Sequence, residues 1–169
     1  MIVRGSLVER RSSEEIEAIT LALRSEWGLS HNERFPIVPV VELVVGEGFQ
    51  VLPVEEMEKT DGLTYPDLGI LQIREDVYLA ACADDGRARD TMAHELGHFF
   101  LHRGMSMARK TSRGIVGKTD DSEWQADEFS SLLLAPTHII TGRTAAEISS
   151  RCGLTMQTAI YRQQKAKHR

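Results

Sequence analysis

The amino-acid sequence predicts an α+β fold, a small, mostly antiparallel sheet set among helices. Short β-prone runs divided by Asp, Gly, Pro and Glu-Asp turns are confined to residues 49–81. The segments on either side carry apolar residues at helical spacing behind good capping residues. A chain of 169 residues is long enough for one hydrophobic core and short for two, so residues 1–169 are read as a single domain.

Each element follows from local chemistry. Ser12 or Ser13 caps a first helix: Glu14, Glu15 and Glu17 suit its positive end, Ile16, Ile19, Leu21 and Leu23 supply contacts, and Gly28 interrupts it. Pro36 and Pro39 bracket a turn. The apolar run 40–45 then fits both helical and strand periods, and helix is the reading adopted. Strands are expected over 49–54, 62–65, 69–74 and 77–81. Asp84 or Asp85 caps a central helix that ends by Gly104, with Met92, Leu96, Phe99, Phe100 and, more loosely, Ala93 on one side. Residues 103–118, rich in Gly, Ser, Lys and Arg, read as a mobile loop before a second helix, Ser122–Leu134, stopped by Pro136. Thr144 caps a helix to Cys152, Gly153 makes a turn, and Thr155 caps a last helix to about Ala166.

Composition narrows the class. No apolar run approaches the roughly 20 residues of a membrane span, and residues 1–11 carry charges where a signal peptide would be apolar, so a cytoplasmic protein with no membrane contact is expected. Two cysteines, Cys82 and Cys152, form neither a disulfide framework nor a paired-cysteine zinc site; they read as reduced thiols. A net charge of −5 argues against a protein devoted to phosphate backbones, and the short basic tail Arg162, Lys165, Lys167, Arg169 reads as a solvated end.

Any metal chemistry must therefore come from His and carboxylate. His94-Glu95-Leu96-Gly97-His98 lies on the central helix, where residues four apart sit about 40° apart on the wheel, so both imidazoles can reach one ion at roughly 2.0–2.1 Å. Glu95 sits beside them as the general base for a bound water, whose pKa zinc lowers from ~15.7 to about 7. Leu96, Phe99 and Phe100 face away, giving the helix a dry side and a metal side. On the second helix Glu123 and Asp127 share one polar stripe, opposite Phe129, Leu132 and Leu133. Glu123 could complete the protein ligands while Asp127 accepts from the outer nitrogen of a ligand histidine. His102 continues the stripe of the central helix but lies a further turn along, and reads as a histidine favoured by the helix C-terminus. Zinc fits this donor set, with manganese or iron open. The oxyanion-stabilising group is left open among Tyr65, Tyr78, Tyr161, His31 and His138.

With these residues in hand the chain resembles the ImmA/IrrE family of metallopeptidases. The resemblance rests on Ala93-His94-Glu95-Leu96-Gly97-His98, Leu101-His102, Glu123-x-x-Ala126-Asp127-x-Phe129 and Leu132-Leu133-Leu134-Ala135-Pro136. It implies a zincin-like, gluzincin-type fold with His94, His98 and Glu123 as zinc ligands, Glu95 as base, and Asp127 at the family's usual Asn or Asp position. Ala135 stands where the family commonly has Met. A catalytic core over 12–142 and a C-terminal helical subdomain over 143–169 follow from the same reading. The resemblance further implies cleavage of a separate helix-turn-helix repressor, which would derepress genes of a mobile element or a stress response. The competing function is a repressor-binding or toxin-antitoxin partner with a structural metal and no proteolysis. Residues 148–162 have a helix-turn-helix look, but the acidic balance favours a structural role for that pair over direct contact with nucleic acid.

Overall fold

The computed structural model describes residues 5–104 and 117–167. Of the loop expected over 103–118, residues 105–116 lie outside the described residues.

Helix α1 (Ser13–Glu26) starts in a reciprocal cap: the Glu15 amide donates to Ser12 Oγ and the Ser12 amide to Glu15 Oε2. Helix α2 (Ile37–Val45) begins three residues earlier than expected, because Pro39 falls in its first turn, where a missing N–H costs nothing. The prolines therefore do not bracket a turn; Pro36 caps the helix and Pro39 is inside it.

Strand β1 (Phe49–Leu52), a short helix α3 (Val54–Met57), β2 (Gly62–Tyr65) and β3 (Ile70–Arg74) follow. The expected strand over 77–81 is instead part of helix α4 (Glu75–Cys82). Val77 and Ala81, four apart, are buried while Leu79 between them is 59% exposed, a helical pattern that alternation over five residues imitates. Glu75 and Asp76 add negative charge at its N-terminal turn. Among the described residues the sheet thus has three strands in the order β1-β3-β2, with β1 parallel and β2 antiparallel to β3, so it is mixed and not mostly antiparallel. β1 cannot pair with β3 as a hairpin because α3 and β2 intervene; that longer crossover lets the two run parallel.

Asp85 caps helix α5 (Gly86–Leu101) by accepting from the Ala88 amide, and α5 lies between the β2 side of the sheet and helix α6 (Ser122–Leu134). A short α7 (Thr137–Ile140) precedes α8 (Ala145–Cys152) and α9 (Met156–Lys167). Thr144 and Glu147 form a second reciprocal cap, and Gly153 ends α8 in the left-handed conformation at φ +69° that a side chain would resist. Leu71 and Ile73 from β3, Met92 and Leu96 from α5, Phe129 and Leu132 from α6, and Ile148 and Ala159 from the last pair are all buried in one hydrophobic cluster. Before α1, residues 5–11 run across the start of α6: Leu7 bridges Asp121, the Val8 amide donates to Asp120 O, and the Arg11 amide to Thr119 O. Among the described residues no helix is long and apolar enough to cross a membrane.

Candidate metal centre

Helix α5 carries His94 and His98 one turn apart, and their Nε2 atoms converge to 3.1 Å. Helix α6 brings up Glu123 in its first turn, with Oε2 3.3 Å from His94 Nε2 and Oε1 3.2 Å from His98 Nε2. Among the described residues these three form the group whose donor atoms could hold a metal ion. A tetrahedral ion with bonds near 2.05 Å holds its ligand atoms roughly 3.4 Å apart, so the observed triangle fits such an ion with little adjustment. Two imidazole nitrogens and one carboxylate are a donor set suited to zinc.

The helices approach closely enough for this because residue 97 is glycine. A Cβ there would lie 3.1 Å from Phe129 Cδ1 and 3.2 Å from Ala126 Cα, inside the contact of α5 with α6. Asp121 caps α6 by accepting from the Glu123 amide and also accepts from the Gly5 amide at 2.8 Å, which ties the N-terminal segment to the turn bearing Glu123.

Each imidazole has an outer partner. His94 Nδ1 lies 2.8 Å from Asp127 Oδ1. Burial alone would lower the His94 pKa, but the bonds to Asp127 and Glu123 outweigh it and raise it to about 10 in the metal-free protein. Hydrogen bonds from His94 and His98 hold the Glu123 carboxyl well below the usual carboxylate range. His98 Nδ1 faces His102 Nδ1 at 2.9 Å, and His102 Nε2 faces Gln125 Oε1 at 3.1 Å. His102 is 1% exposed, and burial, then the neighbouring His98, pushes its pKa down to about 4. It stands at the C-terminal end of α5, as its place in the sequence implies, but as a buried group packed behind His98 with the two rings tilted by 53°.

Glu95 is 7% exposed and points to the sheet side of α5, where the Thr64 hydroxyl on β2 donates to Oε2 at 2.7 Å. Gly62, two residues earlier on the same face of β2, leaves the space: a Cβ there would come within 2.6 Å of Glu95 Cγ. Thr64, Gln125 and the true setting of His102 escaped the sequence reading. The i+4 spacing from His98 was the one available signal for His102, and nothing local marks the other two.

The groups considered for oxyanion binding are mostly engaged elsewhere. Tyr78 donates to Glu42, Tyr161 to Glu128, and His138 bonds Ser30 O beside His31. Tyr65 lies on the opposite face of β2 from Thr64. Beside Asp127 a cleft of about 620 Å³ opens between α5, α6 and α9, lined by Asp90, Trp124, Glu128 and Tyr161 among others, a size within the range of ligand clefts.

A mixed α+β domain built around a His-Glu-x-x-His helix, with a carboxylate closing on both imidazoles, is of the metallopeptidase-like class. The chain belongs to the peptidase M78 family of IrrE N-terminal-like domains, whose model matches residues 50–163. The match runs from β1 into α9 and leaves α1, α2 and the N-terminal segment outside it. No curated protein matches the sequence.

Proposed function

We propose that the protein is a zinc-dependent endopeptidase in which His94, His98 and Glu123 hold the ion, Glu95 is the general base and Asp127 orients His94. The observation that carries this reading is the triangle of donor atoms 3.1–3.3 Å apart, drawn from two helices, with a buried carboxylate one residue from His94. When bound, zinc polarises the scissile carbonyl and acidifies a water.

The side chains supply the rest. Thr64 occupies Glu95 Oε2, so Oε1 is the oxygen offered to the attacking water. Glu95 takes the proton from that water as its oxygen bonds to the carbonyl carbon, then passes it to the departing amine as the C–N bond breaks. Among the described residues β2 is an edge strand packed on α5, and an extended peptide added along it would be held by main-chain hydrogen bonds next to Glu95. The substrate we propose is a separate helix-turn-helix repressor whose cleavage derepresses mobile-element or stress-response genes, in line with the family resemblance.

The test is incubation of the purified protein with a candidate repressor, with and without chelator. Glu95→Gln is expected to keep its zinc and lose cleavage by about 10²–10⁴-fold. Cleavage at the wild-type rate by that variant overturns the assignment of the base. A repressor bound tightly but left intact by the zinc-loaded wild type supports the binding-protein reading instead.

A further inference from the structure

To ligate through Nε2, a neutral imidazole must carry its proton on Nδ1. For His94 the requirement is met by Asp127, since a carboxylate 2.8 Å from Nδ1 only accepts. Among the described residues His98 has no carboxylate on Nδ1; Glu123 faces its other nitrogen, Nε2. Its Nδ1 faces another imidazole nitrogen, His102 Nδ1, at 2.9 Å, and a bond between two imidazoles can run in either direction.

The direction is decided one residue further out. Gln125 Nε2 lies 2.8 Å from two backbone carbonyl oxygens, those of Glu9 and Thr119. Carbonyls only accept, so the NH₂ end of the amide must face them; turning the amide over would place its oxygen against two others. Gln125 Oε1 is thereby fixed toward His102 Nε2 at 3.1 Å, and because that oxygen only accepts, Nε2 of His102 carries a proton. His102 and Gln125 are both buried, which favours the neutral ring, so His102 Nδ1 is bare and accepts from His98 Nδ1. The remaining nitrogen of His98, Nε2, is the one left to the site: it points at Glu123 and His94, and it is the position a metal ion would take in place of any proton.

We propose that His102 and Gln125 are positioning residues: together with the carbonyls of Glu9 and Thr119 they form a one-directional chain of hydrogen bonds that locks His98 in the tautomer able to bind metal. The two histidines of the site are thus set by different devices, a charged acceptor for His94 and a neutral relay for His98. The outer end of the relay includes Glu9, in the N-terminal segment beyond the family match, so the docking of residues 5–11 on α6 is wired to the metal position. The same segment brings Gly5 so near the ligand turn that a Cβ would lie 2.7 Å from Glu123 Cγ.

The inference rests on the metallopeptidase reading, and two measurements separate their failures. Long-range ¹H–¹⁵N correlation on the metal-free wild type is expected to show His98 protonated at Nδ1 and His102 at Nε2. Competition against a chromophoric chelator is expected to show zinc bound about 10–100-fold more weakly by His102→Phe and by Gln125→Met, with His98 of the folded Gln125→Met protein showing mixed tautomers. A wild-type His98 protonated at Nε2 alone, or zinc affinity in both variants within threefold of wild type, overturns the relay. A wild-type chain that binds no zinc overturns the metallopeptidase reading, while the tautomer spectrum, which needs no metal, still judges the relay.

Discussion

Asp127 shows how one exposed side chain governs a half-buried one. Its Oδ1 holds His94 Nδ1, and with Glu123 it keeps the ring charged up to about pH 10 in the metal-free protein. The folded pKa is raised above the ordinary 6.5, so the stability from this charged group is fully present below about pH 6.5 and is lost as pH rises toward 10. Asp127→Asn keeps an acceptor oxygen but loses the charge. It is expected to bring the His94 pKa down toward 6.5, read by NMR titration of the metal-free protein, and to weaken zinc binding by about tenfold. An unchanged His94 titration would show that Glu123 alone sets it. At this scale the pairing of His94 with His98 was legible, because a four-residue spacing on a helix is a local fact. Thr64 on Glu95 and Gln125 on His102 were not, since each contact joins residues more than twenty positions apart.

Among the elements, the α5 and α6 pair brings the site together, and Gly97 permits its approach. Gly97→Ala gains up to about 1 kcal/mol of helix propensity but presses a methyl group on the Ala126 backbone and the Phe129 ring. The crowding is expected to dominate, with a net loss of about 1–3 kcal/mol in urea unfolding and weaker zinc binding as Glu123 is pushed back. Helix α9 is anchored by Arg162, 1% exposed, whose Nε donates to Ala135 O at 3.0 Å and Nη2 to Thr137 Oγ1 at 3.2 Å. Arg162 is therefore a buried clamp on the end of α6, where the sequence reading had placed it in a solvated tail. Arg162→Met leaves the Ala135 carbonyl unpaired and buried, and should cost about 1–3 kcal/mol in the same assay with no change in zinc affinity.

For the whole molecule, a metal that joins α5 to α6 must also stabilise the fold, because the donor triangle exists only when both helices are packed. Zinc at 100 times its dissociation constant should add about 2.7 kcal/mol, a rise in melting temperature of roughly 5–10 °C. Chelator should reverse it and Glu123→Ala should abolish it; an equal rise in Glu123→Ala would place the zinc elsewhere. The sequence by itself determined where these helices start, to within one residue at Ser12 or Ser13 and at Asp84 or Asp85 and to the residue at Thr144, together with the α+β class and the polar stripes on α5 and α6, because each depends on neighbours within a turn or two. Tertiary structure alone decided the parallel pairing of β1 with β3, the helical state of 77–81, and the contacts that run from the Glu9 carbonyl through Gln125 and His102 to His98. Those depend on which distant groups share a buried space, and burial forces each polar atom to find a partner that no local pattern encodes.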